Sequence, residues 1–169
     1  MTKKVQSLNY GFTLIELLIV FSIIGILSVK GIAALADYSR SQALNTAVLD
    51  LVTTLQQARN RSASQVKPDI CGTLDGYKIG LCSRDATSCA ATDGSYSYAM
   101  YAVCGNNTVF IDGKKFPTNI SYDNATSTNS ILFRVITGGV IGNGTIKING
   151  YNSQSKTITI DSVGNVSGY

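Results

Sequence analysis

The sequence predicts an α+β fold, with a long N-terminal helix packed on a C-terminal antiparallel β-sheet head. Three observations carry this expectation. An almost unbroken apolar run extends from Phe12 to Val29. Apolar residues then recur at helical steps of four and three through Leu44, Val48, Leu51, Leu55 and Ala58. Beyond Pro68 the chain breaks into short period-two segments separated by Gly, Asn, Asp and Ser clusters, as strands and their turns do.

The first segment has the dimensions of an anchor. Its 18 residues, rising ~1.5 Å each in a helix, reach ~27 Å, close to the hydrocarbon thickness of a bilayer. Glu16 does not suit that setting. A carboxylate at depth in lipid costs on the order of a few kcal/mol, so a plain anchor would avoid it. Either Glu16 lies near the headgroups and hydrates, or it has a partner.

The hexapeptide Gly11-Phe12-Thr13-Leu14-Ile15-Glu16 resembles the class III signal of type IV prepilins and type II secretion pseudopilins. The resemblance implies that Gly11 precedes the cut and that Phe12 becomes the N-methylated first residue. It implies that Glu16 helps dock one subunit on the next. A separate membrane prepilin peptidase would do the cutting, so Gly11 and Phe12 would be its substrate. The physical reading agrees. Cleavage frees an amine at Phe12, and in low dielectric an amine and a carboxylate attract strongly while an unpaired charge is penalised.

The implied organisation is a leader at 1–11, a transmembrane and filament-core helix at 12–36, the amphipathic half of that helix at 37–66, and a head at 67–169. The leader carries Lys3 and Lys4 and no acid, so its loss takes Lys+Arg from 14 to 12 against 10 acids, and the net charge from +4 to +2. So small a surplus implies no partner by itself. Basic residues before the apolar run stay cytoplasmic by the positive-inside tendency, which puts the head outside. The expected location is a single pass through the cytoplasmic membrane, then a surface or periplasmic filament. A secretory signal would be cut after its apolar run instead.

The helix is expected from about Phe12 to about Ser64, since no proline intervenes before Pro68, whose ring also disfavours helix at Lys67. The apolar stripe from Leu44 to Ala58 is read as core packing, with Asp50, Thr53, Gln57, Arg59 and Asn60 largely elsewhere.

Cys71, Cys82, Cys89 and Cys104 all follow the anchor. An even count in an exported domain suggests two disulfides, with three pairings open. The chain has no histidine, and the cysteine spacing does not resemble a zinc site. Residues 76–82 and 95–103 read as strands flanking a polar loop at 83–94. If they form a hairpin, Cys82–Cys89 would staple the loop and Cys71–Cys104 its open end. Asp112-Gly113 is read as a turn.

In the last third, residues 131–136 read as a strand buried on both sides, and 137–144 as a glycine-rich turn. Thr145-Ile-Lys-Ile148 and Thr157-Ile-Thr-Ile160 alternate, with isoleucines facing one way and Thr or Lys the other. Asp161–Asn165 turns the chain into a short strand from Val166. Such strands against an amphipathic helix make an α+β roll.

Residues 50–63, with Phe133, Gly138-Gly139, Ile158-Thr-Ile160 and Gly164-Asn-Val166, are similar to FimT-type minor pilins and H-type pseudopilins. That resemblance spans most of the chain. It implies a pilin-like fold and a structural minor subunit, assembled with other pilin or pseudopilin subunits by a membrane platform. A major pilin subunit and a tip receptor for DNA are the alternatives. One departure stands out: many pilins carry a proline about twenty residues after the cut, where this chain reads Lys30-Gly31-Ile32-Ala33.

Enzyme chemistry is not expected. The aspartates are scattered beside turn formers, the glycines at 138–144 follow a strand without opening a helix, and no cofactor or metal is implied. Lys114, Lys115, Arg134, Lys147 and Lys156 could contact DNA if they shared a face. Alternating with apolar residues on strands, they also match a solvated sheet surface.

Overall fold

The computed structural model describes residues 11–82, 96–141 and 143–168. The chain divides into two compact units, Met1–Ser39 and Arg40–Tyr169. One 50-residue helix, α1 (Leu14–Ala63), contributes to both.

In the first unit, Thr13 caps the helix. Its hydroxyl accepts the Glu16 N–H at 3.3 Å, and its carbonyl accepts the Leu17 N–H at 3.3 Å. Thr-x-x-Glu is a capping signature that satisfies donors a helix N-terminus would otherwise leave orphaned. Glu16 therefore sits in the first helical turn, where the helix dipole favours an acid. Every residue from Phe12 to Ser28 is exposed, and the hydroxyls of Ser22 and Ser28 turn back onto the Leu18 and Ile24 carbonyls. Among the described residues no helix is long and apolar enough to cross a membrane.

In the second unit the expected stripe is the buried face of α1. Leu44, Val48, Leu51, Leu55 and Ala58 are joined by Ala47 and Val52, all buried. The helix stops without glycine. Gln65 takes a left-handed φ of 53°, its N–H donates to the Ser62 carbonyl, and Val66 N–H donates to the Arg61 carbonyl. Together these bonds close a Schellman motif.

Eight strands follow: β1 (Gly76–Leu81), β2 (Tyr98–Cys104), β3 (Asn107–Lys114), β4 (Ser121–Tyr122), β5 (Ser130–Arg134), β6 (Gly144–Asn149), β7 (Ser155–Ile160) and β8 (Val166–Ser167). They form two four-stranded antiparallel sheets, ordered β3-β2-β1-β5 and β4-β6-β7-β8. The β1–β2 hairpin pairs Gly76 with Val103 and Leu81 with Tyr98. Tyr77, Ile79 and Leu81 of β1, Tyr98 and Met100 of β2, Ile131 and Phe133 of β5, and Ile146, Ile148, Ile158 and Ile160 of β6 and β7 close one core with α1. β1 and β5 approach closely at Gly76, where an added Cβ would lie 2.1 Å from the Phe133 carbonyl oxygen.

Two expectations change. Asp112-Gly113 is not a turn but lies inside β3. The chain reverses at Gly105-Asn106, between paired Cys104 and Asn107, and Gly105 supplies the positive φ of 61° that such a two-residue loop needs. A register shift at Met100/Tyr101 lets Tyr96 lie against Gly113, whose added Cβ would meet that ring at 2.6 Å. β5 is an edge strand buried on one face: Ile131 and Phe133 point inward, Leu132 is half-buried and Arg134 exposed. Lys156 pairs with Ile148, and directly opposed residues share a sheet face, so it lies on the isoleucine face while Lys147 lies on the other.

Candidate functional site

Two places carry the expected functions: the start of the helix and the surface of the head. At the helix start, Phe12 is 75% exposed and lies just before the Thr13 cap. Glu16 is exposed one turn on. The apolar surface running from there includes Leu14, Ile15, Phe21, Ile26 and Leu27. Burying such surface is favourable at ~25 cal/mol per Å², so covering this stretch of α1 with other apolar groups would be stabilising.

In the head, Cys71 and Cys104 are disulfide-bonded across a separation of 33 residues. The bond joins the segment after α1 to the end of β2. Cys82 is also disulfide-bonded, and Cys89, its expected partner, lies outside the described residues.

A polar cluster missed in the sequence fastens the helix to the sheet. Tyr98 Oη donates to Asp50 Oδ2 at 2.6 Å, and Lys114 Nζ donates to Asp50 Oδ1 at 2.5 Å. Partial burial works against the charge of Asp50, but the bonds from Lys114 and Tyr98 and the Lys114 charge outweigh it and hold the carboxyl below the ordinary range. Burial pushes the Tyr98 hydroxyl up, and its bond to Asp50 adds to the rise. The signal was an acid beside Leu51 on the buried stripe, but naming its partners required the β2–β3 register.

The five cations considered for DNA are not brought together. Lys114 ends β3, opposite Tyr98 on the helix side of the first sheet, and Lys115 follows it. Arg134 ends β5 at the other edge of that sheet. Lys147 and Lys156 lie on opposite faces of the second sheet. Lys147 is also 3.7 Å from Asp123, whose carboxyl is held low chiefly by the Ala125 main-chain N–H. Among the described residues no group of acidic, cysteine or histidine side chains could hold a metal ion.

Residues 7–29 match the prokaryotic N-terminal methylation motif. Over 134 residues the chain is 33% identical to a fimbrial protein of Dichelobacter nodosus, covering 79% of this chain and 78% of that one. The type IV major fimbrial protein FimA of Dichelobacter nodosus matches at the same identity and coverage. The chain belongs to the type IV pilin family. No solved structure matches it. As a type IV pilin it is a structural subunit that assembles with other pilin subunits, and its motif implies a membrane-anchored precursor and then a filament. The apolar start of α1 and the disulfide-bearing head are the two parts of that subunit.

Proposed function

We propose that this pilin is a major subunit of a type IV pilus, cut between Gly11 and Phe12, methylated at Phe12, and packed into the filament through α1 with Glu16 as the docking acid. The observation that carries the reading is that the similarity to a major fimbrial protein covers 79% of the chain. It therefore includes most of the head, where subunit classes differ, and not the shared motif alone. The minor-pilin and pseudopilin reading ranks behind it for that reason. A prepilin peptidase and a membrane assembly platform belong to the same reading as partners. Anchoring is assigned to residues 12–36, which hold Glu16 and Lys30 as their charged residues.

The test is to shear surface filaments from the producing cells and identify their subunits by mass spectrometry. The expected result is a dominant band whose chain begins at methylated Phe12. A trace amount beside another abundant pilin would make this a minor subunit. An intact Met1 leader in cells with active peptidase would overturn the processing assignment.

A further inference from the structure

Ile136 is held in a conformation that isoleucine avoids. Its φ is 69°, and for a β-branched residue a positive φ is an outlier. Thr137 N–H donates to the Val135 carbonyl at 2.8 Å, closing a three-residue turn around it of the rare, strained hand. The flanking main chain imposes this. Ile136 N–H donates to the Ser62 carbonyl at the end of α1, Val135 N–H to Asp75, Gly138 N–H to Arg134, and Arg134 N–H to Gly139. Strain of this kind persists where the surroundings over-determine it, and it gathers at functional positions.

The strained residue gives nothing to the core. Ile136 is 71% exposed, and Ile141 and Val163 on adjoining turns are 66% and 60% exposed. Val140 N–H donates to the Ser162 carbonyl and joins the two turns, and Arg59 Nη2 of α1 donates to the Val163 carbonyl at 3.3 Å. Ile136, fixed by these main-chain bonds beside the end of α1, is a rigid aliphatic knob on the head.

We propose that this knob is a contact by which the head of one subunit seats against the head of a second copy in the filament. The inference rests on the filament-subunit reading above. The size of the patch argues for the occupant. Even with Ile141 and Val163 counted in, three aliphatic side chains fall well short of the ~1,200–2,000 Å² that a free-standing complex buries. Such a contact matters only to a partner already held close, because tethering turns its binding into a local event. Packing of the apolar helices tethers the heads of neighbouring copies to each other. The contact is heterologous, a knob against a different surface of the next head, and such contacts propagate into fibres.

The experiment compares filaments of the full chain carrying wild-type Ile136, Ile136→Asn or Ile136→Leu, and places a photo-cross-linking residue at position 136. Asparagine tolerates the left-handed region and removes the aliphatic surface. The detergent-solubilised Ile136→Asn subunit is expected to unfold at the wild-type temperature or a few degrees above it. Its filament yield after shear is expected to fall about tenfold, while Ile136→Leu keeps the yield. Cross-linking in filaments is expected to give an adduct of twice the subunit mass. Unchanged Ile136→Asn filaments, a lowered unfolding temperature, or adducts only with a different protein would each overturn the proposal. If wild-type chain never enters filaments, the subunit reading falls, and this contact with it.

Discussion

The Ser62 hydroxyl donates to the Phe133 carbonyl at 2.6 Å, and both residues are fully buried. This bond fixes the last turn of α1 to the edge strand β5. Ser62→Ala leaves a buried carbonyl without that partner, at a cost of about 1–3 kcal/mol. A lowered urea midpoint with an unchanged slope is the expected result. Wild-type stability would mean that the carbonyl finds another donor.

The Asp50 cluster makes a prediction about acid. A carboxyl held low by partners stabilises the fold fully above its unfolded value, about pH 4, and that contribution is lost as the pH falls through the lower folded value. Asp50 keeps 44% of its side chain exposed, so solvent screening limits the pair to under ~1 kcal/mol. Asp50→Asn should be slightly less stable than wild type at neutral pH, and the gap should close below about pH 4. Urea unfolding at a series of pH values would show this, and a gap that widened in acid would contradict it.

Breaking the Cys71–Cys104 bond frees a loop of 33 residues. Chain entropy alone puts the loss at about 3–4 kcal/mol. The Cys71→Ser, Cys104→Ser double variant should therefore melt well below wild type.

Glu16 lies in the first turn of α1, where its N–H is capped by the Thr13 hydroxyl, and its proposed role is to dock a neighbour. Glutamine can serve in the cap but carries no charge. If charge pairing governs docking, Glu16→Gln and Glu16→Val should both lower incorporation beside wild-type subunits by about tenfold, equivalent to ~1.4 kcal/mol. Incorporation of the glutamine variant at the wild-type level would overturn docking by charge.

The sequence revealed those parts of the fold that local pattern decides. The stripe from Leu44 to Ala58 can be buried only as one helix face, and the alternating isoleucines of β6 and β7 only as one sheet face. The Cys71–Cys104 bond followed from the hairpin between them. What was hidden depends on distant partners. Asp112-Gly113 has turn composition, yet the β2 register and the ring of Tyr96 hold it in a strand. Gln65 stops the helix without the expected glycine. Ile136 reads as one more strand residue until Ser62, far back in the chain, takes its N–H. At the helix start, Thr13-x-x-Glu16 was a readable cap, masked by the more specific motif that shares its residues.

The disulfide also bears on how this molecule answers a pull. A fibre under load strains each polypeptide between its anchored rod and its neighbours. Residues 71 to 104 are looped out of that line by a covalent shortcut, which removes about 110 Å of extensible contour from what the subunit can release. The rod's attachment can then peel only as far as Cys71 before force crosses to Cys104, the last residue of β2, and on towards β3, so the hairpin of β1 and β2 is shielded from traction by a bond that cannot creep.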